Sequence, residues 1–392
     1  MTSPPSSAAG QAFEGLLEAV RDSGRMVRGE RGAADPDAQA DGYRYALELL
    51  RLAIDFYCDQ DWDTPRFIPF SSPLRNHTGD LPIQRIQGGA NPDGYYDLAV
   101  IDPRRTYRIS GVRGNGCYLS FSFSGGKDGA WPDRTVTTLN DTSMTFGPGG
   151  EFQIVVGLDA PAGSDSVPTE PDMCSVIVRQ YFKVPPAQRR LTTLAISVDP
   201  DPALDRPGPP ERSDDAGFAR SLQAAEAFVR GTDDHWPFGG PGGNWFSEPL
   251  GYTGDAGALG TTDNCYCMGR WDVSQGEQLV ITTTPVACRY WSLQLWNHWG
   301  QSLTLTLDDL NYRELIINDA TAKTADDGSV TIVVGAEKPQ EPNWLSTSGW
   351  DRGTMIFRYM FPEAQPARPE ITIRSKDNSA TDSPTTTAKA QD

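Results

Sequence analysis

Hydrophobic and polar residues alternate with a period of two through most of this chain, and only three stretches keep the wider spacing of an amphipathic helix. Residues 11–28 form the first. Residues 43–57 form the second, with Tyr43, Ala46, Leu47, Leu50, Ile54 and Tyr57 on one stripe. An acidic, glycine-rich break at 29–42 separates them. The third spans 215–230, with Ser213 or Asp214 as its N-cap. Strand period governs LAVID, RTYRISGV, CYLSFSFSG, TVTTLND and GEFQIVVGL between residues 98 and 158, then 176–184 and 191–198. It returns over 287–361, which opens on ACRYWSLQLWNHWG, carries NYRELIIN at 311–318 and DGSVTIVVG at 327–335, and closes on IFRYMF. That last stretch holds five of the ten tryptophans.

The two strand-rich regions repeat each other. Tyr118 pairs with Tyr290 and Ser120 with Ser292 at an offset of 172 (290 − 118), and Gly157 pairs with Gly335 and Pro161 with Pro339 at 178 (335 − 157). The blocks keep their order, and one loop insertion accounts for the changed offset. The chain is expected to divide into a disordered start (1–10), a helical segment (11–65), a first β-sandwich unit (66–200), a linker, helix and aromatic glycine-rich loop (201–260), a second β-sandwich unit (261–375) and a disordered tail (376–392). The fold class is mainly all-β, with two tandem sandwich units, an N-terminal helical segment and one helix between the units.

Composition agrees with many short strands joined by turns: 39 glycines and 31 prolines are spread without a repeat. A net charge of −18 with no basic stripe argues against nucleic-acid binding and against adsorption to an anionic membrane. No run of about 18 apolar residues is present, so no spanning helix is expected. The start lacks the basic and apolar regions of a secretory signal, so the location read from the sequence is cytoplasmic. The six cysteines, Cys58, Cys117, Cys174, Cys265, Cys267 and Cys288, have no metal-ligand spacing and read as reduced, buried side chains.

In order, WSL at 291–293, NYR at 311–313, DGS at 327–329, NWL at 343–345 and R-Y-x-x-P at 358–362 resemble the bacterial family of the domain of unknown function 1214 (DUF1214/DUF1254-like proteins). The pattern G-x-N-P-D-x-x-Y at 89–96 is similar to the same families. The resemblance covers the last third of the chain well and implies a β-sandwich or jelly roll. It implies no catalytic mechanism. After Asn343, Trp344 and Leu345 the chain departs from the family pattern, with STSGW in place of a proline and a small residue.

Candidate chemistry is sparse. Asp93 in NPDGYY places a carboxylate beside Asn91, Tyr95 and Tyr96 at the mouth of a strand, an arrangement that suits acid or base work on a sugar or ring; the same residues also make a good tight turn. His298, in WNHWG, is a second candidate acid or base, and a ring stacked between Trp296 and Trp299 is its structural alternative. Tyr96 is a candidate hydrogen-bond donor. Arg289 and Arg358 are candidate anion anchors, and Arg358 shares a strand face with Ile356 and Met360, so its guanidinium is expected to be buried. An ion pair of Arg358 with Asp308, Asp309, Glu314 or Asp351 is the structural alternative. Trp245, Trp296, Trp299 and Trp344 are the candidate stacking platform. His77 and His235 are weaker candidates. DQDWD at 59–63 lacks the glycine and glutamate of a calcium loop, and no nucleophile elbow or P-loop is present.

Two functions fit. One is a cofactor-independent hydrolase, lyase or isomerase acting on a small sugar-like or polycyclic, terpenoid-like ligand in an aromatic cleft, with Asp93 or His298 as acid or base, Tyr96 as donor and Arg358 as anchor. The other is a non-catalytic small-ligand or carbohydrate-binding protein that uses the same aromatics. Neither requires a metal, a nucleic acid or a membrane, and the sequence does not indicate an oligomeric state.

Overall fold

The computed structural model of the chain describes residues 7–375 apart from 30–34, 61, 71–72, 76–81, 85–90, 127–131, 162, 164, 202, 204–213, 236–241, 252–260, 275 and 305–310. The expected tail at 376–392, most of the linker, His77, Ser213 and the loop aromatics Trp236, Phe238 and Tyr252 lie outside the described residues. Helices α1 (Ala8–Met26) and α2 (Pro36–Tyr57) lead into β1 (Ile68–Phe70), β2 (Pro73–Arg75), β3 (Pro82–Gln84), β4 (Gly94–Val100), β5 (Tyr107–Val112), β6 (Tyr118–Gly125), β7 (Arg134–Asn140), β8 (Glu151–Val156), β9 (Ser166–Val167), β10 (Met173–Tyr181) and β11 (Thr193–Val198). Helix α3 (Asp215–His235) is followed by β12 (Trp245–Phe246), β13 (Asn264–Asp272), β14 (Glu277–Thr283), β15 (Tyr290–Asn297), α4 (Tyr312–Leu315), β16 (Ile316–Asn318), β17 (Val330–Gly335), β18 (Trp344–Ser346), β19 (Arg352–Met360) and β20 (Glu370–Ser375).

The fold is mostly β. One five-stranded sheet has the order β1-β4-β10-β6-β7 and its four-stranded partner the order β11-β5-β8-β9. The second half of the chain gives β12-β13-β19-β15-β16 and β20-β14-β17-β18, the same order strand for strand; β2-β3 is a separate hairpin. Even the parallel pair recurs, β8 with β9 and β17 with β18.

Each sandwich closes over its own core. Leu119, Phe121 and Phe123 of β6 pack with Val176 and Val178 of β10 and Ile154 and Val156 of β8. Trp291, Leu293 and Leu295 of β15 pack with Met355, Phe357 and Tyr359 of β19 and Val330, Ile332 and Val334 of β17. The alternate residues of β6 and β15 are Tyr118, Ser120 and Ser122 and Tyr290, Ser292 and Gln294, and these are buried too. The inner strands β6, β10 and β15 have no wet face: their polar sides lie in the seam between the two halves, where Tyr181 of one and Tyr290 of the other meet at 5.6 Å between ring centroids. At the far end of the first sheet, Leu98, Val100 and Ile177 pack under α1, α2 and α3.

Asp97 is exceptional in the first sandwich. It shares a strand face with Ala99, which belongs to that core, and burial pushes its carboxyl up to about 6. An acid whose pKa is raised by folding holds its proton more tightly in the native state, so stability is present below the unfolded pKa and is lost as pH rises through the folded one, here between about 4 and 6. Asp97→Asn is therefore expected to gain about 1–2 kcal/mol at pH 7 and little at pH 4. Urea unfolding at both pH values measures this, and an equal effect at the two would contradict it.

Helix α2 corrects the sequence reading twice. It begins at Pro36, inside the expected break, because Asp35 caps it by accepting from the backbone N–H groups of Asp37 and Ala38 and proline suits the first turn. Its buried face is Tyr45, Ala46, Leu49, Leu52, Ala53, Phe56 and Tyr57, while Tyr43, Leu47 and Ile54 of the predicted stripe are exposed, Leu47 at 64%. Both stripes keep helical spacing, and the buried one is that which leaves Gly42 against Trp299, where a Cβ would come within 2.7 Å of the indole. Leu47→Gln is expected to change stability by less than about 0.5 kcal/mol in a denaturant titration. Elsewhere, NYRELIIN is one helical turn, α4, before the short β16, not a continuous strand, and α3 runs on to His235, past the expected end at 230. None of the six cysteines forms a disulfide.

Candidate functional site

The NPDG turn does what its residues dictate. Asn91 accepts from the Asp93 N–H at 2.9 Å, and the Gly94 N–H returns to the Asn91 carbonyl at 2.9 Å, which closes the chain ahead of β4. Asp93 then points inward, with 0% exposure. Its Oδ2 accepts from the Tyr290 hydroxyl at 2.7 Å and from Asn318 Nδ2 at 2.8 Å, and its Oδ1 accepts from the Tyr312 hydroxyl. Arg189, itself buried, stands 3.6 Å away, held by the carbonyls of Val184 and Pro92 at 2.8 and 2.7 Å and lying over the Tyr312 ring. Burial raises the Asp93 pKa above the ordinary carboxylate value, against the opposing pull of Arg189, Asn318, Tyr312 and Tyr290.

Three of the groups on Asp93, Tyr290, Tyr312 and Asn318, come from the other half of the chain, and the arrangement recurs in reverse. Asp263, ahead of β13, accepts from the Tyr118 hydroxyl at 2.6 Å and from Asn140 Nδ2 at 2.9 Å. Tyr118 and Tyr290 open β6 and β15, and Asn140 and Asn318 close β7 and β16. The next residues, Asp141 and Asp319, take Arg289 at 2.6 Å and Lys183 at 2.5 Å, again from the opposite half. Asp93, Asn91 and Arg289 thus sit in a two-fold set of latches between the halves. The Asp93 oxygens are filled by protein donors, an arrangement suited to holding the halves together rather than to proton transfer to a ligand.

The other polar feature of the seam is Arg358. It lies mid-strand on β19, 4% exposed, between Tyr266 of β13 and Ser292 of β15 in register. Among the described residues its Nη1 reaches only neutral acceptors at long range, Ser292 Oγ at 3.5 Å and Gln294 Oε1 at 3.4 Å, and its Nε has no acceptor. No carboxylate among the described residues pairs with it: Asp351 pairs with Arg352, and Asp308 and Asp309 lie outside those residues. The ion pair expected as the structural alternative is absent among the described residues because the face that β19 presents to the seam is lined by tyrosine, serine and glutamine. Its guanidinium lies 5.5 Å from the Tyr181 ring and 5.9 Å from the Tyr266 ring. Burial works against its charge, the surrounding Tyr181, Tyr96, Tyr290 and Tyr266 favour it, and the guanidinium stays charged. From the first half a chain of hydroxyls reaches the same place: Asn91 Nδ2 donates to Tyr96 at 3.2 Å, and Tyr96 donates to Tyr181 at 3.0 Å.

The remaining candidates are not brought together. His298 follows β15, eight residues beyond Tyr290 and so roughly 26 Å along the strand from the Asp93 contact. The two proposed acid–base groups cannot serve one reacting bond. His298 meets Trp299 edge-on at 4.8 Å. Trp299 is no exposed platform: it is fully buried, stacks on Tyr45 and donates to the Ala38 carbonyl at 2.8 Å, which fixes α2 to the second half. Trp245 lies on the edge strand β12, Trp344 on the edge strand β18 with its indole N–H on the Gly335 carbonyl, and Trp296 is buried on β15. Four tryptophans on separate elements do not form one shelf. Tyr95 packs edge-on against Phe182, beside Arg189. Among the described residues no group of three or more His, Cys, Asp or Glu is placed to hold a metal, and no helix is long and apolar enough to cross a membrane. Sequence reasoning missed Tyr181, Tyr266, Arg189, Tyr312 and Asn318, whose roles depend on pairing across the seam.

Residues 272–364 match the family model described as "Protein of unknown function (DUF1214)", the stretch that carries the sequence resemblance. Among solved structures, the chain is similar to an uncharacterised protein from Burkholderia cenocepacia, with 26% identity and a TM-score of 0.75 over 94% of this chain and 98% of that one. It also matches the VPA0106 protein from Vibrio parahaemolyticus at 14% identity and a TM-score of 0.43, over 73% of this chain and 90% of that one. No curated protein matches.

Proposed function

We propose that the protein binds a small organic ligand bearing an anionic group in the seam between its two five-stranded sheets, with Arg358 as the anion anchor and Tyr181 as a second donor. The observation that carries this reading is a guanidinium 4% exposed, with an unused Nε and no carboxylate partner among the described residues. A buried charge left in that state costs several kcal/mol, which a bound carboxylate or sulfate would offset. Tyr96, Tyr181, Tyr266 and Tyr290 supply flat walls suited to a ring or sugar. The binding reading needs no cofactor.

An enzyme of hydrolase, lyase or isomerase type acting on such an acid is the second reading. The Asn91–Tyr96–Tyr181 chain favours it, because Tyr96 donates to Tyr181, which leaves the Tyr181 proton for another acceptor. In that case Tyr181, with Tyr96 behind it, takes the donor role, and Asp93 and His298 take none.

A thermal-shift series tests the proposal, pairing aromatic, terpenoid and sugar acids with their neutral amides. Acids at 100 times their Kd should add about 2.7 kcal/mol of stability. Equal shifts for acid and amide, or none with either, would refute an anion site.

A further inference from the structure

Beside the anion anchor lies an acceptor that nothing uses. Asn264 opens β13 at 1% exposure, on the face opposite the core residues Cys265 and Cys267, and so on the seam side with Tyr266. In register it stands across from Met360, which sets it diagonal to Arg358, roughly 7–8 Å away between Cα atoms. Its Nδ2 donates to the Tyr266 hydroxyl at 2.9 Å, and its Oδ1 has no hydrogen-bond partner. An amide oxygen buried without a donor is the mirror of the Arg358 Nε, a donor buried without an acceptor, and each is costly when left so.

Tyr266 joins the two. Its oxygen accepts from Asn264, so its own proton is left for another acceptor, and none takes it among the described residues. Tyr181, which accepts from Tyr96, is in the same state. Burial and then Tyr181 raise the Tyr266 pKa while Arg358 lowers it, so the two hydroxyls and the guanidinium share one neighbourhood and both hydroxyls keep their protons. Three donors and one acceptor stand there unspent.

We infer that the ligand of this site is a hydroxy acid, its carboxylate on Arg358, Tyr181 and Tyr266 and its hydroxyl donating to Asn264 Oδ1. The inference rests on the reading of Arg358 as an anion anchor and adds the neutral group beside the charge. The group on Asn264 is a hydroxyl rather than an ammonium, because a second cation held near a buried guanidinium would be repelled. An acid without the hydroxyl leaves Oδ1 orphaned in the complex, and a site built to pair a ligand hydroxyl discriminates strongly against the analogue that lacks it.

Isothermal titration of the full chain tests this with hydroxy acids beside their parents: meta- and para-hydroxybenzoate with benzoate, mandelate with phenylacetate, and quinate with cyclohexanecarboxylate. One hydroxy acid of the series is expected to bind at least about tenfold more tightly than its parent. Asn264→Leu should bring that pair within about threefold of each other, whereas Tyr266→Phe should weaken both members alike. Where Asn264→Leu does not fold, Asn264→Ala, which adds no bulk beside Met360, makes the same test. Equal binding of hydroxy acid and parent to the wild type, or a preference that survives in a folded Asn264 variant, would overturn the hydroxyl inference and leave the anion site intact. Binding of neither member of any pair would overturn both.

Discussion

Asp93→Ala is expected to lower the stability of the protein by about 3–5 kcal/mol, and Asp263→Ala by about 1–2 kcal/mol. The two residues occupy matching positions and take matching donors, a tyrosine and an asparagine from the opposite half. They differ in what surrounds them. Asp263 is half-buried, so water can take over when its carboxylate is gone. Asp93 is fully buried, and its removal leaves the buried guanidinium of Arg189 and three side-chain donors without their acceptor. The loss should be shared with its partners: Tyr290→Phe should cost about 1–2 kcal/mol in the native background and much less once Asp93 is absent. Urea titrations of the four proteins of that cycle measure the coupling. Small and equal losses at Asp93 and Asp263 would mean that the latch contributes little and would reopen a catalytic role for Asp93.

The sandwiches were legible because their strands obey local rules. YLSFSFSG and YWSLQLWN alternate, EFQIVV and VTIVVG are short β-branched runs, and both recur in the same order, so period and repeat were enough. What alternation could not show was where the polar face goes. Ser120, Ser122, Ser292 and Gln294 read as the wet side of two ordinary sheets, yet all four are buried because the halves close on each other. The tyrosines that line this seam have no spacing that marks them. Even so, the repeat that aligns Tyr118 with Tyr290 also runs through Asp93 and Asp263, at an offset of 170 (263 − 93), each one residue ahead of its strand; that the two carboxylates form reciprocal latches depends on the closure of the halves. The face of α2 was misread for a related reason. Tyr43, Leu47 and Ile54 are no less apolar than Tyr45, Leu49, Leu52 and Phe56, and it is the packing against α3 and against Trp299, which Gly42 admits closely, that selects the buried stripe.

Arg358→Met is expected to raise the stability of the ligand-free protein by about 1–2 kcal/mol while removing its response to anions. The competing terms set the sign. Stacking on Tyr181 and Tyr266 is worth about 1–2 kcal/mol in a desolvated site, and two hydrogen bonds at 3.4 and 3.5 Å add little. Burying a guanidinium without a carboxylate costs several kcal/mol, so the desolvation penalty wins. Methionine fills much of the same volume with a flexible chain that packs against aromatic rings. A residue retained at a net cost to stability is the signature of a site kept for what it binds. Arg358→Lys sharpens the point: it keeps the charge but loses the fork, so anion binding should weaken without the gain in stability. If Arg358→Met instead loses more than about 2 kcal/mol by urea titration, the tyrosine cage is a structural feature completed by its cation. The seam would then be a polar core, and the anion site would have to be sought elsewhere in the molecule.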